Sequence, residues 1–230
     1  MFVLLKKLLP ALALLALTAC QSDADDPAEL LPQPVVGSAL YRVTFEATWS
    51  AATHANFPAG AHFSPLIGTA HRSNGQLFQN GQLASHGIKD MAERGVNTAL
   101  RTEIGALRGT GDALGILDGR GLNSPGTASD TLRVDARRPR MTVVTMIAPS
   151  PDWFVALENE NLLGGNGQWV EQRTVPARAY DAGTDSGPTF TAPDQATMPA
   201  APISGLRLPP ASGTAADGPA LGVWRLERIR

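Results

Sequence analysis

The sequence has a single cysteine, few charged residues and no basic excess. One cysteine among 230 residues excludes an internal disulfide and a cysteine-rich zinc site, because both need several sulfur atoms. The 19 Lys and Arg residues face 21 Asp and Glu residues, so the formal charge of −2 gives no general attraction to nucleic acid. Charged residues make up only 17%, whereas 23 glycines and 18 prolines exceed their usual share of about 12% together. This composition predicts many turns and short strands, and no nucleic-acid partner.

Familiar catalytic and phosphate-binding signatures are missing as well. The chain has no Gly-x-Ser-x-Gly turn, no His-Glu-x-x-His pair and no Gly-x-x-x-x-Gly-Lys loop. Its four histidines, His54, His62, His71 and His86, are separated by eight, nine and fifteen residues, which matches no short zinc signature. We therefore expect structural or hydrogen-bonding histidines. The glycine-rich run 109–112 is expected to be an ordinary loop, since one copy cannot build a calcium-binding repeat solenoid.

The amino-terminal residues have the pattern of an export signal. Two lysines precede an apolar run that ends at Ala19, and this run is too short to span a bilayer stably. Residues 17–20, Leu-Thr-Ala-Cys, resemble the bacterial lipobox, in which the signal is removed before a cysteine that has received a lipid. The sequence therefore predicts a lipoprotein signal peptide at 1–19 and lipidation of Cys20. An ordinary signal peptide with an incidental cysteine is the alternative.

The residues that follow the cysteine predict the cellular location of the protein and a flexible tether. Gln21 stands where an aspartate would resemble an inner-membrane retention signal, so we expect a lipid anchor in the outer membrane, with the domain periplasmic or surface-exposed. Residues 20–38 hold four acidic residues, three prolines and little apolar periodicity. Such a segment cannot bury enough apolar surface to offset its ordering entropy, which predicts a flexible tether.

The remaining residues, 39–230, predict one all-β domain, an antiparallel β-sandwich with one or two short helices and long loops. Residues 41–49 alternate apolar and polar side chains, as in a half-buried strand. The nearly continuous apolar run 141–148 predicts a strand that is covered on both faces. Further strands are predicted at 131–135, 153–157, 168–175 and 222–229.

One helix and one long excursion complete the prediction. Ser85 can cap a helix that ends at Gly95 and has an apolar stripe between them. Residues 175–220 are rich in proline and lack periodicity, which predicts an excursion that returns to the last strand at 222–229.

Three aspartates are the most informative polar residues. Asp152 opens a predicted strand, and Asp181 and Asp185 lie four residues apart around a glycine in a turn-rich segment. Their carboxylates can point to one side of such a loop, and Ca²⁺ takes six to eight oxygen ligands from carboxylates, carbonyls and water. Solvated turns, held by local bonds between side chain and backbone, are the alternative. The spacing alone leaves both interpretations open.

A set of segments spread over about residues 39–195 carries a family pattern. The segments are 41–45, 48–50, 57–58, 62–68, 84–89, 92–95, 146–155 and 180–187, together with His54, His71 and Gly81. They resemble the spondin amino-terminal domain, which occurs in F-spondin and mindin of the animal extracellular matrix. The resemblance implies a β-sandwich with a calcium ion bound by loop aspartates, and on this sequence those aspartates match Asp152, Asp181 and Asp185. The chain differs from the animal proteins in having no cysteine inside the domain and Phe63 where tryptophan is common.

Three functions are consistent with this sequence. The first is a non-catalytic, calcium-binding module that is lipid-anchored through Cys20 and acts in adhesion or ligand binding at the cell envelope. Its partner would be an envelope or extracellular protein or a glycan. The second is a hydrolase that uses His54, His71 or His86 with an acid such as Glu93. The third is a purely structural envelope lipoprotein.

Overall fold

The computed structural model describes residues 37–209 and 218–230. The predicted signal peptide, Cys20 and nearly all of the predicted tether lie outside the described residues. The first of two antiparallel sheets has four strands, and β1 and β12 are its central pair. Its order is β6 (Gly126–Asp135), β1 (Ser38–Ala47), β12 (Gly222–Arg228) and β9 (Gln172–Pro176).

A second antiparallel sheet has eight strands and packs against the first. Its main path is β11 (Ser204–Leu206), β10 (Arg178–Asp181), β8 (Trp153–Asn161), β7 (Arg140–Ala148), β2 (His62–Phe63) and β5 (Leu122–Asn123). Strand β3 (Ile67–His71) also pairs with β7, and β4 (Ala113–Asp118) pairs with β3. These two sheets confirm the predicted all-β, antiparallel sandwich.

The core between the sheets is built on the alternation in β1. Tyr41, Val43 and Phe45 are fully buried, while the polar residues between them face outward. Phe45 stacks on Trp224 of β12, with ring centroids 4.6 Å apart, and meets Phe63 of β2 edge to face at 4.8 Å. Large buried side chains of this kind each contribute about 1.5–3 kcal/mol by leaving water. The aromatic centre therefore joins the two sheets.

Strand β7 is buried on both faces, as its continuous apolar run predicts. Val143 and Ile147 belong to the core between the sheets, whereas Val144 and Met146 belong to a second core on the opposite face. Two helices cover that second face, α1 (His86–Arg94) and α2 (Thr98–Thr110). The eight-stranded sheet is thus the middle layer of this part of the molecule. Neither of these helices has the length and apolar character needed to cross a lipid bilayer.

Helix α1 begins and ends where the sequence predicts. The Ser85 hydroxyl accepts a hydrogen bond from the Ile88 amide (3.1 Å), and Gly95 ends the helix with φ +65°. The first turn of α1 has no acidic residue of its own. Instead, Glu103 of α2 accepts bonds from the Gly87 amide and the Ser85 hydroxyl, each 2.7 Å long. A negative charge from the second helix therefore stabilises the positive end of the first.

After the end of β9, the described residues of the proline-rich segment 175–220 contain two short strands. Strand β10 continues the sheet beside β8, and β11 pairs with β10 at its outer edge. Residues 201–203 return toward the turn before α1, where Gly81 donates to the Ile203 carbonyl (2.8 Å). This segment therefore adds the last strands to one side of the eight-stranded sheet.

Candidate functional site

The three aspartates singled out in the sequence come to one corner of the eight-stranded sheet. Asp152 immediately precedes β8, and Asp181 is the last residue of β10, where it lies opposite Trp153. Because β8 and β10 are antiparallel neighbours, both carboxylates are placed at the same end of the sheet. Asp185 lies four residues beyond the end of β10, and its backbone amide bonds to Asp152. We call these three residues the aspartate corner.

The loop that carries Asp185 is held by a partner segment of the chain. The Ser186 amide donates to the Gln195 carbonyl (2.8 Å), and the Thr197 amide donates to the Thr184 carbonyl (3.0 Å). A further bond joins the Ala201 amide to the Gly183 carbonyl (2.8 Å). The loop is thus an ordered part of the fold that positions Asp185 beside β8.

Asp152 is the buried centre of the aspartate corner, with a relative exposure of 0%. Its Oδ2 atom accepts bonds from the Thr184 amide (2.7 Å), the Asp185 amide (3.0 Å) and the Thr184 hydroxyl (3.2 Å). Its Oδ1 atom is buried and has no hydrogen-bond partner. Burial raises the pKa of this carboxyl, the negative charge of Asp181 raises it further, and the bonds from Thr184 and Asp185 oppose the rise.

The unpartnered oxygen of Asp152 fits a cation with a preference for oxygen ligands. A buried charge costs free energy unless a counter-charge or hydrogen bonds stabilise it. Here one oxygen accepts three bonds, while the other has no hydrogen-bond partner, and the negative charge of Asp181 acts on the same carboxyl group. Calcium would supply the missing positive charge and would use the oxygen that the protein leaves unpaired.

Asp181 and Asp185 also make local bonds to the backbone. Asp181 Oδ1 accepts from the Gly183 amide (2.8 Å), and Asp185 Oδ1 accepts from the Gly187 amide (2.7 Å). The second oxygen of Asp185 accepts from the Gln195 amide (3.0 Å). These are the turn bonds of the alternative interpretation. Each bonded oxygen still has a second lone pair that a metal ion can use.

Across residues 37–209 and 218–230, no group of three or more His, Cys, Asp and Glu side chains is arranged to hold a metal ion by itself. A calcium ion at the aspartate corner would therefore also need backbone carbonyls, water or a turn of the side chains, and calcium sites regularly use carbonyls and water. The calcium site accordingly stays a prediction from Asp152, Asp181 and Asp185.

Two glycines fix the shape of this loop. Gly183 has φ +73°, and a Cβ atom there would lie 2.1 Å from the Ala201 carbonyl oxygen. A Cβ atom at Gly187 would lie 2.9 Å from Pro151 Cγ and 3.1 Å from Asp185 Oδ1. Only glycine therefore allows the close approach of these loops around the two outer aspartates.

The four histidines are dispersed. His71 is fully buried inside the sheet, where its ring nitrogens contact a threonine hydroxyl (2.7 Å) and a backbone carbonyl (2.6 Å). His54 contacts a threonine hydroxyl (2.9 Å) and a carbonyl (2.7 Å), His62 contacts a carbonyl (2.8 Å), and His86 pairs with an aspartate of its own helix. Glu93 pairs with a lysine one turn away. This arrangement agrees with hydrogen-bonding roles. Of the three histidines in the hydrolase hypothesis, His86 has a carboxylate partner, but it lies exposed on the surface of α1, and Glu93 pairs with a lysine instead.

Sequence reasoning did not find the residues that position the aspartate corner. Thr184 donates twice to Asp152, and the Ser150 hydroxyl accepts a bond from the Trp153 amide (3.1 Å). Below the corner, Phe190 packs between Trp153 and Trp49, with ring centroids 5.1 and 5.2 Å apart. The only signal for these roles in the sequence is that Thr184 and Ser150 lie within two residues of an aspartate.

Comparison with known proteins identifies the relatives of this chain. The Spondin_N family model matches residues 39–214. Human Spondin-2 is 38% identical over 170 residues, which cover 70% of this chain and 50% of that protein. Chicken Spondin-1 is 36% identical over 172 residues, or 71% of this chain and 21% of that protein. Spondin-1 of Xenopus laevis is 34% identical over 208 residues, or 84% of this chain and 25% of that protein. The chain thus spans between about a fifth and a half of these relatives.

Proposed function

The chain belongs to the Spondin_N family, and from this premise we propose that it is an exported, lipid-anchored β-sandwich that binds calcium and acts in adhesion or ligand binding at the cell envelope. Its partner is an envelope or extracellular protein or a glycan, and it has no catalytic role. The observation that carries the calcium proposal is the buried Oδ1 atom of Asp152, which has no hydrogen-bond partner in a carboxyl group that also feels the negative charge of Asp181.

Calcium would act here as a structural ion. The negative charges of Asp152 and Asp181 repel each other, and a divalent cation would relieve that repulsion. Asp152 already holds the Thr184 and Asp185 amides, so the ion would add to a loop that is largely formed. It would stabilise the loops on which Trp153 and Phe190 pack, and these loops form one end of the sandwich.

The anchor and the address rest on the sequence around Cys20, which lies outside the described residues. Several acyl chains at one cysteine would hold the protein to a membrane far more firmly than one chain, at about 0.8 kcal/mol per buried methylene. We place the protein in the outer membrane because Gln21 and Ser22 lack the acidic residue of an inner-membrane retention signal.

Thermal unfolding of the full chain tests the calcium site. The protein is first chelated and then titrated with Ca²⁺ and Mg²⁺ in parallel. At a calcium concentration of about 100 times Kd, binding stabilises the folded state by about 2.7 kcal/mol. For a domain of this size that corresponds to a rise in Tm of roughly 5–10 °C. We expect Asp152→Asn, Asp181→Asn and Asp185→Asn each to remove most of this rise.

The matched control is Asp130→Asn, which removes the same charge from β6 in the other sheet. It should keep the full response to calcium. The calcium proposal is wrong if Tm does not change with calcium, if magnesium raises it equally, or if the three variants respond like the control.

The anchor is tested separately by metabolic labelling with a fatty acid and by membrane fractionation. Wild-type protein should incorporate the label and sediment with the outer membrane, whereas Cys20→Ser should do neither. A labelled or membrane-bound Cys20→Ser protein would contradict the anchor at this residue. Adhesion is measured with whole cells that carry or lack the protein, on surfaces coated with envelope or extracellular proteins and glycans, in calcium and in chelator. Loss of the protein should reduce attachment to at least one coating.

A further inference from the structure

A shallow, open depression of about 570 Å³ is lined by three arginines at the other end of the sandwich. Arg140 begins β7 and lies opposite Asn161, the last residue of β8, whereas Asp152 precedes the first residue of β8. With a rise of about 3.3 Å per residue, the length of β8 separates the two places by roughly 25 Å. The pocket is therefore distinct from the aspartate corner.

Two tight turns bring the arginines together. Arg72 follows β3, and its carbonyl accepts a bond from the Gly75 amide (3.1 Å). Arg137 lies in the turn between β6 and β7, which closes where the Arg138 amide donates to the Asp135 carbonyl (2.9 Å). Because β3 and β7 are paired neighbours, the two turns lie side by side at one edge. We call the concavity between them the arginine pocket.

The arginine pocket has positive charge and hydrogen-bond donors that the protein does not use. Within residues 37–209 and 218–230, the side chains of Arg72 and Arg137 make no hydrogen bond or ion pair, and neither do those of Ser73 and Asn74. Arg140 is held in place by a bond from its Nη1 atom to a backbone carbonyl of β8 (3.1 Å).

The acidic residues nearest these turns already have partners. Asp135 forms an ion pair with Arg138 and accepts bonds from the backbone of its own turn. Asp112 accepts a bond from the Thr110 hydroxyl (2.7 Å). Within residues 37–209 and 218–230, the guanidinium groups of Arg72 and Arg137 thus carry positive charge that forms no ion pair, in a protein whose formal charge is −2.

We propose that the arginine pocket binds a phosphate group. A guanidinium group is always charged, and its planar set of donors matches two oxygens of a tetrahedral anion. Three such groups on the wall of one concavity can contact a phosphate from different sides, while the hydroxyl of Ser73 and the amide of Asn74 add neutral donors. Free phosphate and the headgroup of a phospholipid present the same group, so both are tested.

Calorimetric titration of the full chain with inorganic phosphate at about 50 mM chloride is the first measurement. The variant Arg72→Gln/Arg137→Gln should bind phosphate at least about tenfold more weakly. Its Tm should match that of the wild type, because both residues are exposed and neither side chain makes a hydrogen bond or ion pair within the described residues. If the double variant does not fold, the single variant Arg137→Gln takes its place.

The control Arg133→Gln/Arg225→Gln removes the same amount of charge outside the pocket, since Arg133 bonds a serine of β1 and Arg225 pairs with a glutamate. It should bind phosphate within about twofold of wild type. A second titration uses phosphatidylcholine vesicles with and without phosphatidic acid. If the protein binds free phosphate but not the vesicles, the natural ligand is a soluble phosphate compound. If it binds vesicles that contain phosphatidic acid, and free phosphate competes with this binding, the natural ligand is a lipid headgroup.

Three results would overturn the proposal. One is binding to neither probe, and another is an equal loss in the control and in the pocket variant, which indicates diffuse charge. The third is phosphate binding that the pocket variant retains. Chelation of calcium should leave the titration unchanged, because the aspartate corner lies at the other end of β8, so the two sites can fail independently.

Discussion

Asp152 has two roles, and two different substitutions at this position distinguish them. Its Oδ2 atom holds the Thr184 and Asp185 amides, and its Oδ1 atom is the unpaired oxygen that we assign to calcium. Asp152→Ala removes both functions, whereas Asp152→Asn keeps one acceptor oxygen and removes the charge. We therefore predict that the two variants differ strongly in chelator, where only the first task counts.

The magnitude follows from the bonds. Asp152→Ala leaves two buried backbone amides without an acceptor, and each such group costs about 1–3 kcal/mol. The expected loss is about 2–6 kcal/mol in the free energy of unfolding, with about 4 kcal/mol as the central value. In Asp152→Asn the amide oxygen takes the place of Oδ2. The cost of its unpaired NH₂ group is offset by the loss of a buried negative charge near Asp181, so stability should change by less than about 1.5 kcal/mol.

Urea unfolding of the full chain in chelator, followed by circular dichroism, measures both values. The change should appear in the urea midpoint with little change in the slope, because the unfolding transition exposes the same surface. In saturating calcium the two variants should both lack the metal-dependent rise. Equal stability of Asp152→Ala and Asp152→Asn in chelator would refute the structural task that we assign to Oδ2.

Two further predictions concern the buried histidine of β3 and the cap of α1. Burial lowers the pKa of His71, although a hydrogen bond to a backbone carbonyl acts in the opposite direction. As the pH falls below 6.5, His71 therefore becomes protonated in the unfolded chain before it does so in the folded chain. Stability should therefore fall from pH 7 to pH 5 in urea unfolding, and His71→Gln should reduce this slope; an unchanged slope would contradict the assignment. Ser85→Ala removes the cap of α1 and the bond to Glu103, which should cost about 1–2 kcal/mol and speed amide exchange in α1. Ser73→Ala, which removes no hydrogen bond, is its control, and an equal effect of both would contradict the cap.

Local signals allowed some elements to be predicted with their ends, and tertiary contacts decided the others. The capping residues Ser85 and Gly95 act within one turn of helix, so α1 could be located from the sequence. Helix α2 could not, because Asn97 makes no side-chain cap and only Leu100 and Ile104 are buried along it. Strands of two or three residues, such as β2, β5 and β11, are defined by their partners and leave no period in the sequence.

The aspartate corner and the arginine pocket show the same difference between local sequence signals and tertiary contacts. Asp152 opens a predicted strand, Asp181 and Asp185 lie close in sequence, and the resemblance to spondins links all three, so the aspartate corner was predictable as a set of residues. The bonds from Thr184 to Asp152 join residues that are 32 positions apart, and no local pattern reports them. The arginine pocket combines a turn after β3 with a turn after β6, so its parts meet only when β3 pairs with β7.

The chain enters the sandwich at the end that carries the arginine pocket. Ser38, the first residue of β1, lies opposite Asp135, the last residue of β6, and Arg137 follows two residues later. From Cys20 to this entry the chain has 17 residues, whose greatest reach is about 60 Å. A lipid on Cys20 would thus be joined to the domain at the end that carries the arginine pocket. The aspartate corner lies at the other end of β8, farther along the domain from this point of attachment.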